Sequence, residues 1–329
     1  MTAPAVTRFR MIANITVGAV VVLILIGSLV RMTGSGMGCP DWPKCFGQWI
    51  PPTDVSELPE DYQSIFAVAG KEIAEFEAFK TWVEYLNRLF GVLVGVLGLA
   101  TVVSGSFIRR DHGAAFLWSL IGLMLTLFAA GLGAYVVKTD LQAGMITLHM
   151  LVALGVLTAF LTAATKTRRR DDVDLWGVPV ESKDLWIGGL VIACMLVQIV
   201  LGTQVREQVD ILLKAGVGRE SLISNLTGAY SIHKFSHYAV AAVLLWWIRH
   251  VWSKGRGKAR GAMLAVIAFL LSEIALGLGM HHFEVPAALQ PLHLLFATLL
   301  FAATFLIMRW LWMGKAHQHR QEETLVHGH

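Results

Sequence analysis

Eight apolar stretches of about 20 residues or more constrain this chain more than any other feature; they fall at 11–31, 82–108, 114–136, 142–165, 185–205, 228–251, 261–281 and 287–312. About 20 residues of helix, at 1.5 Å each, cross the hydrocarbon core of a bilayer. The runs are continuously apolar, without the period-2 alternation of a lipid-facing strand, which excludes a membrane β-barrel. At 55% hydrophobic and 15% charged, the chain is neither an ordinary soluble domain nor a disordered one. The first run is too long for a signal-peptide core, lacks a small-x-small cleavage site and ends in Leu29-Val30-Arg31, so it reads as a retained helix. The sequence predicts an all-α integral membrane protein with eight transmembrane helices.

The loops sort by charge. Arg8, Arg10, Arg109, Arg110, Lys166, Arg168, Arg169, Arg170, Lys183, Arg249, the run from Lys254 to Arg260, Arg309, Lys315 and Arg320 hold 17 of the 27 Lys and Arg. The opposite set, including the segments 32–81 and 207–227, holds ten Lys and Arg against fourteen Asp and Glu. The positive-inside rule then puts both termini in the cytoplasm, the long 32–81 loop outside, and the protein in the cell (inner) membrane. Blocks of basic residues between spans are a topology signal rather than a nucleic-acid footprint.

The two halves repeat. Gly131-Leu132-Gly133 reappears 146 positions on as Gly277-Leu278-Gly279, and Glu84-x-x-Asn87-Arg88 faces Tyr230-x-x-His233-Lys234 at the same offset. His149 answers His293 at an offset of 144, and Gly27-x-x-Val30-Arg31 answers Gly202-x-x-Val205-Arg206. Each half has four spans and starts inside, so the expected architecture is two pseudo-twofold-related four-helix bundles, residues 1–170 and 171–329.

Ionisable groups within a membrane are costly and by default functional. His317, His319, His327 and His329 lie in a polar tail expected to be solvated, and His112 and His250 sit among basic residues at the cytoplasmic side. His149, His233, His237, His281, His282 and His293 lie in spans or at their ends. His233 and His293 fall roughly 8–9 Å from the outer ends of their helices, where two imidazoles can ligate a haem iron within a bundle. Zinc would want a third ligand. The first half offers His149 but sets Asn87 opposite. An amide is a poor iron ligand, so the first site should hold its haem by one strong axial bond or none, as suits a substrate. His237 is either a neighbour of that haem or a hydrogen-bonded core residue. Arg31, Arg88, Lys138, Arg206 and Lys234 cluster at the outer face, either as partners of haem propionates or as side chains reaching to the interface.

Glu84 lies one turn from Asn87 and has no acidic counterpart in the second half, where Tyr230 stands. Its carboxylate could move protons or stabilise developing positive charge, or it could pair with Arg88 at i+4. Glu273, in mid-span, is open between a proton path and an interhelical hydrogen bond. Cys39 and Cys45 enclose five residues outside the first span, where a structural disulfide is the plain reading and a redox-active thiol pair the sharper one.

The segment Arg31-Met-Thr-Gly-Ser-Gly-Met-Gly-Cys-Pro-Asp-Trp-Pro-Lys-Cys45, with Glu84-x-x-x-Arg88, His149, His233-Lys234 and His293, resembles the haem A synthase family. The resemblance covers essentially all eight spans. It implies an enzyme that hydroxylates the C8 methyl of haem O twice, the gem-diol then losing water to leave the formyl group of haem A for terminal oxidases. It further implies haem b as a cofactor held by His233 and His293, the substrate haem in the first half, and Glu84 in the chemistry. Many members carry histidine where this chain has Asn87. The partners expected are haem O, membrane lipid, a haem O synthase and a quinol or other electron donor. A two-haem b-type cytochrome carrying electrons from quinol is the competing reading, but such proteins stack haems across the membrane. A transporter would show paired interruptions of its helices at the midplane.

Overall fold

In hydrocarbon a long apolar run has one low-energy conformation, a helix that closes its backbone hydrogen bonds within itself. The computed structural model describes residues 3–140, 144–167, 175–176 and 178–327. Its long helices are α1 (Ala3–Met32), α2 (Ala78–Ser106), α3 (Gly113–Lys138), α4 (Met145–Thr165), α5 (Ser182–Lys214), α6 (Gly228–Trp252), α7 (Lys258–His282) and α8 (Leu289–His327). Among the described residues there is no strand, only isolated bridges.

Seven of these helices are long and apolar enough to cross a membrane, and α6 is the exception. At 25 residues its length suffices, but Tyr230, Ser231, His233, Lys234, Ser236 and His237 crowd its first turns and Arg249 and His250 its last. The expected sixth span is thus the most polar, because it carries the candidate ligands.

Several helices overrun the expected spans. α5 continues to Lys214, about two turns past residue 205. α8 runs on through His317 and His319 to His327, so the polar tail expected to be solvated and disordered is helical, with His319 exposed. The stretch beyond Met313 is rich in Lys, Ala, Gln, Arg, Glu and Leu and has no proline, so its helix propensity is high. Arg168, Arg169 and Arg170, the expected domain boundary after residue 170, and His329 lie outside the described residues.

The chain forms two compact units, residues 1–166 with 286–295, and residues 167–285 with 296–329. In the first, α1 packs on α2 and α4, and α3 packs on the same two, which closes a ring of four helices. The hydroxyls of Thr16 and Thr101 meet at 2.9 Å between α1 and α2. In the second, α6 packs along α5 and α7. Phe269 of α7 meets Phe296 of α8 with ring centroids 6.1 Å apart, and Gly188 of α5 abuts Met308 of α8.

A buried charge cluster ties α5 to α6 in the second unit. Asp184, fully buried, accepts from Lys254 Nζ (2.7 Å) and the Glu181 amide (2.7 Å) on one oxygen and lies 2.8 Å from His250 Nε2 on the other. Trp247 Nε1 donates to the Asp184 carbonyl at 3.0 Å. Burial disfavours the Lys254 charge, but hydrogen bonds to Asp184 and Glu181 outweigh it and hold the ammonium above the ordinary lysine value. His250 therefore has a structural partner that its basic sequence surroundings concealed. Removing one member of a buried ion pair leaves the other uncompensated, at about 3–5 kcal/mol. Asp184→Ala should accordingly lower the apparent melting temperature in detergent by several degrees, and an unchanged value would show that the cluster does not hold the α5–α6 pair.

Candidate active site

After Met32 the chain does not re-enter a long helix until Ala78, and the intervening loop builds a small core of its own. Cys39, Cys45, Phe46 and Tyr62 are buried together, with Leu58, Phe66, Ile73, Phe76 and Tyr85 packed around them. The Phe46 ring stands edge-on to Tyr62, Phe66 and Phe76 at centroid distances of 6.3, 5.3 and 5.6 Å. Tyr62 Oη accepts from the Phe76 amide at 2.9 Å, and Trp82 Nε1 donates to the Pro52 carbonyl at 3.2 Å. The sulfurs of Cys39 and Cys45 lie at bonding distance, 2.06 Å, with their Cα atoms 4.8 Å apart. Asp41 closes the far end of this ring by accepting from the amides of Phe46 (2.6 Å) and Gly47 (2.9 Å).

The ring docks on the first turns of α2. Thr81 Oγ1 donates to the Gly38 carbonyl at 2.9 Å. Gly38 approaches so closely that a Cβ there would lie 2.4 Å from the Lys80 carbonyl oxygen. Glu84, one turn further along α2, is 3% exposed. Its Oε2 accepts from the Cys39 amide at 2.9 Å and its Oε1 pairs with Arg88 Nη2 at 2.5 Å. Arg88 also donates to the carbonyls of Cys39 (2.6 Å), Asp41 (2.5 Å) and Lys44 (3.0 Å). The sequence offered Arg88 as a propionate partner, as an interfacial side chain or as the i+4 partner of Glu84; the fold sets its guanidinium against Glu84 and the loop. Thr81 and the Cys39 amide carried no sequence signal of their own, since their role follows from where the loop lands.

The repeat expected from sequence has a geometric counterpart in each unit. In the first, Asn87 faces Gly27 of α1, where a Cβ would stand 3.9 Å from the amide oxygen. In the second, His233 faces Gly202 of α5, where a Cβ would stand 3.2 Å from the ring Cε1. The His149 ring likewise lies beside Gly133 of α3. Only at Gly202 would an added Cβ crowd the facing ring; beside Asn87 and His149 it would make ordinary van der Waals contact. The His233 backbone is fixed from α5, where Gln198 Nε2 donates to its carbonyl at 2.9 Å and Ser236 Oγ donates to Gln198 Oε1 at 2.6 Å.

The register of Glu84 and Arg88 is filled differently in the second unit. Tyr230 Oη lies 2.7 Å from His281 Nδ1, and Lys234 Nζ lies 3.2 Å from His281 Nε2. An ammonium only donates, so His281 accepts from Lys234 and donates to Tyr230. Arg206 pairs with Asp210 at 2.7 Å. Arg31 closes the last turn of α1, and His293 lies in the second turn of α8. Glu273 lies against the backbone of Ala297 on α8, as an interhelical contact would have it. His237 makes a ring contact with Tyr238 at 4.8 Å, and His282 with His281 at 5.3 Å.

Buried polar atoms normally find partners. Nδ1 of His149 and Nδ1 of His233 are buried without one. A buried imidazole with a ring nitrogen that the chain does not satisfy fits the iron of a haem, whose macrocycle is apolar and whose axial ligand is neutral imidazole. No cluster of three or more His, Cys, Asp or Glu able to hold a metal ion by itself occurs among the described residues.

The family model COX15-CtaA, described as cytochrome oxidase assembly protein, matches residues 10–305. A relative from Shewanella oneidensis named "Heme A synthase" is 29% identical over 157 residues, 48% of this chain and 45% of its own length. That match spans less than half of the relative. Proteins of the same name from Bradyrhizobium sp. and Methylorubrum populi are 23% and 25% identical, covering 91% and 84% of this chain and 90% and 80% of their own.

Of the three cysteines, Cys194 is free. Protein purified without reductant and then denatured should therefore react with one maleimide, and with three after reduction. Three labelled thiols before reduction would dismiss the Cys39–Cys45 link.

Proposed function

Since the chain belongs to the COX15-CtaA family of cytochrome oxidase assembly proteins, we propose that it converts haem O to haem A. The observation that carries the reading is the inequality of two corresponding sites. Asn87 and His233 occupy the same register against matching glycines, and only the Asn87 site has a buried carboxylate, Glu84, one turn away. The second site, with imidazole, suits a resident cofactor. The first, with an amide opposite a single histidine, suits a haem that must enter and leave.

His233 and His293 would hold haem b, which supplies one-electron transfer when bound. His149 would ligate the substrate haem, with Asn87 on the other side. Arg31 would meet substrate propionates, and Arg206 and Lys234 those of the cofactor. Lys234 keeps donors beyond the one directed at His281. Glu84 acts at the C8 methyl. Each hydroxylation replaces a C–H bond by C–OH and is a two-electron oxidation of that carbon. It is balanced either by dioxygen with two electrons and two protons from the donor, the second oxygen leaving as water, or by water with two electrons passed to an acceptor. In both, a fixed carboxylate in a water-poor site stabilises the positive charge that develops there. The second hydroxylation gives a gem-diol, which loses water to the formyl group. The partners in this reading are a haem O synthase that delivers the substrate and a quinol or other electron donor.

All eight helices, α6 included, would cross the cell membrane. The basic loops and both termini would face the cytoplasm and the 33–77 loop the outside, in keeping with the positive-inside distribution.

Two substitutions test the assignment. Glu84→Gln keeps size and hydrogen-bonding capacity but removes the charge, so haem O should still bind while its conversion falls about 10²–10³-fold. Expression beside a haem O source and chromatography of the extracted haems read this out; wild-type haem A from the variant would remove Glu84 from the chemistry, and no haem A from the wild type would favour an electron-carrying cytochrome. His233→Leu or His293→Leu should abolish the b-type absorption with the protein still inserted, and an unaltered spectrum in both variants refutes the cofactor site.

A further inference from the structure

We propose that Arg88 is a positioning residue, which together with the Cys39–Cys45 loop fixes the carboxylate of Glu84, and that it does not bind the acidic groups of a ligand. The inference rests on the role proposed for Glu84 above. An i,i+4 ion pair on an exposed helix face contributes little and needs no further explanation. This pair is different in surroundings and in stoichiometry. The side chains of Arg88 and Glu84 are 14% and 4% exposed. Nη1 of Arg88 reaches the carbonyls of Asp41 and Lys44, and Nη2 reaches the Cys39 carbonyl and Glu84 Oε1. Two terminal nitrogens offer four N–H bonds, and four acceptors take them, leaving Nε–H as the fifth donor. A ligand carboxylate binding in two-pronged fashion uses at least one terminal nitrogen on either edge of the fork, and so would have to displace one of these partners.

The Cys39 peptide is gripped from both sides, its amide by Glu84 Oε2 and its carbonyl by Arg88. The carboxylate of Glu84 thus accepts from the Cys39 amide on Oε2 and from Arg88 on Oε1, with the Gly38 amide also directed at it, so its donors are the loop frame and the guanidinium that grips it. The frame is seated on α2 by Thr81 and by the close approach of Gly38. It is closed by Cys45 and by Asp41, independently of Arg88. Only a planar fork joins three carbonyls and a carboxylate at once; a lysine ammonium keeps the charge but loses this geometry. The loop's role is therefore to hold the acid in place across the boundary between loop and helix.

The test uses the full-length protein in detergent, with haem O affinity, KM, kcat and amide exchange of residues 38–45 measured for wild type, Arg88→Gln and Arg88→Lys. In Arg88→Gln, haem O affinity and KM should stay within about threefold, kcat should drop on the order of 10²-fold, as for loss of one fixed charge contact, and exchange in residues 38–45 should accelerate. Arg88→Lys should recover part of kcat while exchange stays fast. A loss of haem O affinity of tenfold or more with kcat unchanged would make Arg88 a ligand-binding cation and overturn the proposal, as would wild-type kcat with slow exchange. Should Arg88→Gln fail to insert, Arg88→Lys alone decides by the same two criteria. Absence of haem A from the wild type would reject the function itself. Fast exchange of the loop in the variants would then still stand for the frame, and slow exchange would reject that too.

Discussion

A polar side chain carried into hydrocarbon must find its partner within the chain, and that requirement governs the placement of nearly every charged or hydroxylic group between the helix ends. Thr16 and Thr101 satisfy it with each other, Asp184 with Lys254, His250 and the Glu181 amide, and Glu84 with Arg88 and the Cys39 amide. Where the requirement is not met, the chain is prepared for something else. Nδ1 of His149 and of His233 are buried without a hydrogen bond, and each ring lies beside a glycine of the neighbouring helix.

The helices were legible from their apolar runs, because length and hydropathy dictate a membrane span almost without reference to tertiary structure. Their ends were less so. The overrun of α5 to Lys214 and of α8 to His327 depends on helix propensity in polar sequence, which hydropathy ignores. α6 shows the opposite failure of simple hydropathy: it falls short of the other seven because its first turns carry Tyr230, His233, Lys234 and His237. The 146-residue offset proved the better guide, since it paired Asn87 with His233 before any coordinates set each against a glycine.

The loop between α1 and α2 was the least legible part of the site. Spacing suggested that Cys39 and Cys45 could join, but nothing in the sequence says that Gly38 must press on the backbone of Lys80 or that the Cys39 amide must meet Glu84. These are contacts at a sequence separation of more than 40 residues, fixed by the aromatic packing of Phe46 against Tyr62, Phe66 and Phe76. For Arg88 the sequence offered a propionate, the interface or Glu84 at i+4 as its neighbour; the pair with Glu84 is present, and the three backbone carbonyls beside it were not foreseeable, because charge alone does not distinguish a ligand's carboxylate from carbonyls of a distant loop.

A repeat with two equivalent recesses can do two different things only if the equivalence is broken next to the ligand. Here it is broken at one register. Glu84 and Arg88 in the first unit correspond to Tyr230 and Lys234 in the second. The first pair carries a carboxylate held by an external loop. In the second, His281 intervenes between a phenol and an ammonium, and the nearby Glu284 carboxylate acts on Tyr230 and His281 through space. Glutamate, unlike tyrosine at neutral pH, brings a negative charge, and a charge fixed in a poorly hydrated site acts on whatever develops the opposite sign beside it. Tyrosine and histidine in the corresponding place bring hydrogen-bonding capacity without a carboxylate. The two halves thus differ at this register by one acidic residue, and by the external loop whose Cys39 amide and Arg88-bound carbonyls hold that residue where it is buried.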